Sequence, residues 1–429
     1  MTKYEDYRYE TDFRIPETMQ AMVAHGIGFE NLAIEQVPVP KINDNQLLAR
    51  VDAAGVCTSI IKIIEQGDKH PYLNGWDLAR WPLTFGDEGA ITIVKVSGNL
   101  KDKYNPGQRF TIQPSLNTAP VVHRDRYNNN AEGIHKCAVG YTIGGHLGQY
   151  ICVQEEVFKA DCLLQLPDDE MAYFEVSMAE PISCVYSAQD RNYHIIKQGP
   201  HAHRKAQLGL LRGGVAVVIG AGAMGRMHVE LALRFEPAVL IVSDLIQERL
   251  ARVVKSIGEK AKRKGTKLIC VQAAELDRTV REVSNGRGAD DIILAVGVRS
   301  VQQKALDLLA DGGVANLFGG LARGDHILEV DGRSIHYREI KLVGSSGGEP
   351  SDMSATLQAI NKGEIDPGNY VAGVGSLDNA IDVLKMIKET KIDAKAILYP
   401  HIKHTPLQMV DYWDKDREIK FINERMQGQ

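Results

Sequence analysis

Cysteine is scarce in this chain and poorly spaced for cross-linking. The 429 residues hold six, Cys57, Cys137, Cys152, Cys162, Cys184 and Cys270, with no Cys-x-x-Cys pair among them. That spacing excludes a dense disulfide framework, and most of these thiols read as small buried hydrophobes. Long apolar runs are missing too: none approaches the roughly 18 residues of a membrane helix. The opening segment, MTKYEDYRYETDFRIPETMQ, has neither the apolar core of a signal peptide nor the arginine richness of a transit peptide, so the expected location is cytoplasmic. Positive charge is not in excess. A net charge of −5 gives nucleic acid or an anionic membrane no electrostatic hold. There is no internal repeat and no low-complexity segment. What remains, 44% hydrophobic and 24% charged, is an ordinary globular composition, long enough for two domains.

The chain changes character along its length. Residues 1–180 are rich in short β-like runs broken by Gly and Pro, such as LLARVDAAGV, AITIVKVSG and GQRFTIQPS. That pattern suits an irregular β domain. Residues 181–345 contain six apolar strand-like runs, GVAVVIG, AVLIVSD, KLICVQ, DIILAVG, GVANLFGG and EIKLVGSS, separated by helix-length segments. Such alternation predicts an α/β domain with a doubly wound parallel sheet. Residues 346–429 hold two helix-like runs and the strand-like KAILYP, and are expected to return to the first domain. Residues 405–429 read as a polar closing helix on the surface or at an interface.

Gly220-Ala221-Gly222-Ala223-Met224-Gly225 is a Gly-x-Gly-x-x-Gly placed between a predicted strand and a predicted helix. In that setting the first glycine permits the tight turn, the second lets a pyrophosphate approach the backbone, and the third lets helix and strand pack closely. The helix N-terminus then stabilises phosphate charge. Asp244 ends the next strand, where a carboxylate accepts hydrogen bonds from ribose hydroxyls and repels a 2′-phosphate. NAD is therefore expected over NADP. The alternative for Asp244 is a cap on the following helix.

Two carboxylates stand side by side in PLTFGDEGA, Asp87 and Glu88. Adjacent like charges need solvent or a cation. Cys57 in AAGVCTSIIK and Glu180 in SMAEPISCV add a thiol and a third carboxylate; singly, these are a buried cysteine and a helix cap. Together they form a donor set that suits zinc.

In the order Gly-x-Cys-x-Ser, Gly-x-Glu-Gly, Pro-Gly-x-Arg, Glu-Pro-x-Ser and the glycine fingerprint, the chain resembles the zinc-dependent medium-chain alcohol and polyol dehydrogenases. Within that family it is most similar to the L-sorbose-1-phosphate reductases, through SIIKIIEQGDKH, GQRFTIQ, DCLLQL, EPISCV, NYH and GSSGG, over about residues 20–400. The resemblance implies a GroES-like catalytic domain, a Rossmann domain and one catalytic zinc, with Cys57, Asp87, Glu88 and Glu180 around the metal. It implies Ser59 as the hydroxyl that meets the substrate oxygen, with Lys62 and Glu88 beside it in catalysis. The cofactor set it implies is Gly220, Gly222, Ala223, Met224, Gly225, Asp244, Arg249, Val296 and Gly297. A homodimer or homotetramer is expected.

Departures from the family pattern shape the expectations. Asp87 stands where the family has histidine, which adds a negative charge at the metal. Lys62 stands where many members have a relay histidine, and its ammonium is expected to offset that charge. The four-cysteine lobe is replaced by NTAPVVHRDRYNNNAEGIHKC, so no structural zinc is expected, and this stretch reads as a solvated loop. RNYHIIKQGPHAHRKAQLGLLRGG is an insertion read as a basic surface loop, with His201 and His203 as alternative metal donors. The implied reaction is NAD-dependent interconversion of a secondary alcohol and a ketone on a sugar, polyol or sugar phosphate. Alternatives are a redox-neutral epimerase or lyase with retained NAD, and a nucleotide-binding protein without catalysis.

Overall fold

The computed structural model describes residues 2–322 and 324–426 and divides the chain into two units. The first runs to Pro181 and resumes at Glu349; the second is Ile182–Gly348. Among the described residues no helix is long and apolar enough to cross a membrane.

The second unit is a six-stranded sheet in the order Lys267–Gln272, Val239–Asp244, Val215–Ile219, Ala289–Leu294, Leu309–Leu317, Lys341–Gly344. Every pairing is parallel. The six apolar runs of the sequence are these strands, in the doubly wound order that begins at the centre and reverses at Val215–Ile219. That central strand is buried at all five positions, as a strand covered on both faces must be. Helix Gln247–Arg263 buries Leu250, Val253, Ile257 and Ala261, one stripe at helical spacing, and turns Lys255 and Lys262 outward. The insertion forms a hairpin, Tyr193–Ile196 with Lys205–Leu208. Its root is polar and buried. Asp291 accepts from Asn192 Nδ2 and from the Leu211 amide, each at 2.8 Å, and lies 3.0 Å from His194 Nε2. His201 and His203 sit on the connecting loop and join no metal-type cluster among the described residues.

The first unit is built on an eight-stranded sheet. Its path runs Leu163–Gln165, Arg109–Ile112, Glu88–Val96, Leu47–Gly55, Lys395–Tyr399, Val371–Ser376, Gln408–Met409, with Tyr150–Val153 also paired to Leu47–Gly55. The C-terminal return thus inserts a strand directly against the N-terminal one, Leu398 opposite Ala54 and Ile397 opposite Gly55. One core cluster draws on both parts, from Met22 to Leu398. One loop reading needs correction. NTAPVVHRDRYNNNAEGIHKC is not simply solvated: Tyr127 and Ala131 are buried, with the Tyr127 ring 5.2 Å from Trp76. The closing helix, Lys415–Arg425, buries Glu418, Phe421 and Ile422 within the unit.

Glu418 explains why so polar a helix is held. Its carboxylate accepts from the backbone N–H groups of Tyr173 and Phe174, both at 2.8 Å, which are otherwise unpaired donors at the start of helix Tyr173–Ser177. The Tyr399 hydroxyl donates to it at 2.9 Å, and Trp413 Nε1 donates to Tyr399 in turn. Replacing Glu418 by Ala leaves three buried donors without their acceptor, a loss of about 3 kcal/mol. All three tryptophans, Trp76, Trp81 and Trp413, lie in this unit. The loss is therefore expected in urea unfolding followed by tryptophan fluorescence. A midpoint equal to that of the unaltered protein would show that the helix is held by its apolar residues alone.

Candidate metal centre

Three elements of the first unit bring the donors together. Strand Leu47–Gly55 ends in Gly55, and the chain turns through Val56 and Cys57 into helix Ser59–Gln66. The Val56 amide donates to Ala396 at 3.1 Å, so the C-terminal strand fixes that turn. Gly86, at φ +110°, sets the turn that presents Asp87 and Glu88, and a side chain there would meet the backbone of Leu147 at 2.9 Å. The turn is locked from outside by backbone donors. Gly145 bonds to Thr84, His146 to Gly86 and Leu147 to Phe85, at 2.8 to 2.9 Å.

The carboxylate pair is not solvated. Asp87 is 6% exposed and Glu88 0%. Ligand atoms of Cys57, Asp87 and Glu88 all lie within 4.8 Å of one another. Each carboxylate has one committed oxygen and one uncommitted. Ser59 Oγ donates to Asp87 Oδ2 at 2.9 Å, while the buried Oδ1 has no partner. Glu88 Oε1 takes the ammonium of Lys395, while the buried Oε2 has none. Burial raises the pKa of all three acids. The Asp87 charge adds to the rise at Cys57, and Lys395 opposes it at both carboxyls. A half-buried thiol with two buried, unpartnered carboxylate oxygens beside it is a donor set that fits zinc.

Lys395 is the cation that meets the pair, and it was not foreseen. It is 8% exposed; burial pulls its pKa down, but the charges of Cys57 and Glu88 outweigh that and hold the ammonium. Lys62, expected in this role, stands on the exposed face of its helix, whose inward positions are Ile60, Ile61, Ile63 and Ile64. The reading of Lys62 as the offset charge is therefore corrected to Lys395. Gly55 makes the pairing possible. It lies opposite Glu88 on one side and Ile397 on the other, and a Cβ on it would come within 2.0 Å of Glu88 Oε2. Glu180 is buried in the first turn of helix Ala179–Asp190. Its charge acts on Cys57 and Lys395, but it is outside the trio that meets within 4.8 Å.

In the second unit the glycine loop has the shape its sequence implies. Gly220 has φ +100°, and a Cβ on Gly225 would strike the Gly220 carbonyl at 1.8 Å. A Cβ on Gly222 would meet nothing within 4 Å, which leaves open space beside that backbone for a phosphate. Ala223 and Met224 open helix Ala223–Ala232. Asp244 accepts from the Ala221 amide at 2.6 Å and from the Ile246 amide at 2.8 Å, so it braces the loop and holds the turn ahead of helix Gln247–Arg263, whose N-cap is Ile246 rather than Asp244. Arg249 Nη1 is 3.8 Å from Asp244 Oδ2. Val296 would touch a side chain at Gly220, and Gly297 lies against Gly320.

Comparison with known proteins agrees with this geometry. Residues 43–168 match the alcohol dehydrogenase GroES-like domain, and residues 223–362 match the zinc-binding dehydrogenase domain. This chain belongs to the zinc-type medium-chain dehydrogenase family. It is accordingly an oxidoreductase of the zinc type. It is 28% identical over 377 residues to the L-sorbose 1-phosphate reductase of Klebsiella pneumoniae, covering 86% of this chain and 84% of that protein. It is 28% identical over 392 residues to the mannitol-1-phosphate 5-dehydrogenase of Aliivibrio fischeri, covering 90% and 87%. Among solved structures, the 2R,3R-butanediol dehydrogenase of Bacillus subtilis shares the fold at TM-score 0.69 and 20% identity, over 89% of this chain and 99% of that one.

Against the family pattern, Lys395 could have been suspected from KAILY, a lone lysine opening a wholly buried strand. Lys395→Met should destabilise the first unit by about 3 kcal/mol, because Glu88 is left as a buried, uncompensated charge. Adding Glu88→Gln should restore most of that loss, measured by the same fluorescence-detected unfolding. Equal losses in the single and double variants would show that the two residues do not act as a pair.

Proposed function

We propose that this enzyme interconverts a secondary alcohol and a ketone on a sugar, polyol or sugar phosphate, with NAD(H) as the redox partner. The observation that carries the reading is the meeting of Cys57, Asp87 and Glu88 within 4.8 Å, with the Ser59 hydroxyl bonded to Asp87. Relatives named for sugar- and polyol-phosphate chemistry support the substrate class.

The residues divide the work. Cys57 and the free oxygen of Asp87 would hold zinc, with Glu88 Oε2 or Glu180 as the further carboxylate. Bound there, zinc supplies a Lewis acid that makes a hydroxyl more acidic, and NAD supplies the hydride acceptor. Lys395 cancels Glu88, and Cys57 with Asp87 carries two negative charges against the two positive charges of the ion, so Glu180 leaves the set one negative charge in excess. Ser59 donates its own hydrogen to Asp87, so its lone pairs are left to accept from a substrate hydroxyl. A proton leaving the substrate oxygen then has its first stop at Ser59 Oγ. Burial of the two carboxylates, with Cys57 half-buried beside them, limits competing water and strengthens these interactions. Asp244 repels a 2′-phosphate, which favours NAD.

A panel of polyols, ketoses and their phosphates, assayed with NAD and NADH and with NADP and NADPH, tests the reading. NMR identification of products should show net alcohol–ketone conversion coupled to nicotinamide absorbance. Products formed with no net change in nicotinamide would sink it in favour of redox-neutral chemistry, and faster use of NADPH would overturn the reading of Asp244. Metal analysis gives a second check. Cys57→Ala and Asp87→Ala should each lower zinc content at least about tenfold, whereas Asp87→His should retain it. Full occupancy in the Cys57 variant would place the metal elsewhere.

A further inference from the structure

The wall beyond Ser59 in the first unit is aromatic. Tyr141 is half-buried, and burial with the nearby Asp87 and Cys57 charges keeps its phenol protonated. Its ring centre lies 5.4 Å from that of Tyr72 and 5.6 Å from that of His70, and His70 and Tyr72 are 5.9 Å apart. Three mutually touching rings thus lead away from the metal donors.

Cations border this wall. Lys136 Nζ is 5.5 Å from the centre of the Tyr72 ring. Lys62, no longer needed as the offset charge at the metal, is near enough to His70 to lower its pKa, although burial is the larger cause. No carboxylate contributes to that shift. His70 Nδ1 accepts from the Tyr72 amide at 3.2 Å, so the ring's proton resides on Nε2, which is left as a donor. Neither lysine has an ion-pair partner among the described residues. Two ammonium groups without an ion-pair partner among the described residues and an imidazole N–H, in a chain of net charge −5, form a complementary set for an anion.

We propose that Lys62, His70 and Lys136 form the subsite for the phosphate of a phosphorylated ketose or polyol, with Tyr72 and Tyr141 spacing it from the reacting carbon beside Ser59. The inference rests on the alcohol–ketone reading of the site and narrows its substrate to phosphate monoesters. A phosphate monoester carries a charge of about −1.5 to −2 near neutral pH, and each of the three donors meets it through a charge-assisted or strong hydrogen bond. The tyrosine rings offer apolar faces to the C–H surface of the sugar chain between phosphate and carbonyl. A neutral polyol would fit the same wall but leave the cations to solvent and gain nothing from them. The phosphate is remote from the bond that changes, so its binding is uniform between ground and transition states and acts on KM.

The experiment compares a ketohexose 1-phosphate with the same unphosphorylated ketohexose on the zinc- and NADH-loaded full chain. Lys136→Met and Lys62→Met should each lower the ratio of kcat/KM, phosphorylated over unphosphorylated, at least about tenfold, with the loss in KM. Lys136→Arg should recover most of the ratio, and Lys69→Met, an exposed neighbour outside the cluster, should leave it unchanged. In parallel, calorimetry with inorganic phosphate should detect binding to the unaltered protein that the double variant loses. An unchanged ratio in both methionine variants overturns the subsite, and leaves the oxidoreductase reading intact if the sugars turn over. Lysine-dependent phosphate binding with no turnover of either sugar supports the subsite and overturns the oxidoreductase reading.

Discussion

The ion pair between Glu88 and Lys395 is the constraint on which the rest of the first unit depends. It crosses the sheet at the one position where the intervening strand has no side chain, Gly55. Burying either charge alone is unfavourable, and burying them together is tolerable only if the geometry holds both. The geometry is supplied by the backbone: the C-terminal strand pairs with the strand that ends in Gly55, and the same strand's Ala396 carbonyl receives the amide just before Cys57. Glu88 is thereby pinned by one oxygen and Asp87 by its bond to Ser59. The remaining oxygen of each carboxylate is left without a partner beside the thiol.

The glycine loop of the second unit follows the same logic with opposite means. There, absence of side chains opens backbone to an anion, and a buried carboxylate, Asp244, holds the loop by accepting the Ala221 amide. Both halves of the chemistry therefore rest on glycines at close approaches and on carboxylates with more than one obligation. Substituting either kind of residue conservatively alters a distance even where it alters no charge.

Much of this was legible in the sequence because it is local or periodic. Six apolar runs at helix-length spacing specify a parallel sheet, and Gly220, Gly222 and Gly225 carry their reason in their spacing. The association of Cys57 with Asp87 and Glu88 required the family resemblance, since the intervening residues give no distance. Lys395 was missed because its partner is 307 positions away, and side-chain pairing at that separation leaves no trace in local pattern. Lys62 was misjudged for the converse reason. Proximity of five positions to Cys57 suggested nearness in space, whereas the isoleucines on either side already assigned it to the outer face. Glu418 shows the limit of composition: a mostly polar helix can bury a charged residue beside its few apolar ones.

Chain order has a consequence for biosynthesis. Cys57, Asp87 and Glu88 all leave the ribosome early, and the lysine that balances them comes more than three hundred residues later. At about 5–20 residues per second, that interval is roughly 15–60 s. During it the nascent amino-terminal sheet lacks its neighbouring strand and its counter-ion, so the donors cannot be buried as a charged set. Assembly of this trio is thus deferred until translation is nearly over, and a truncated product that stops before Lys395 would carry the three side chains without the frame that organises them.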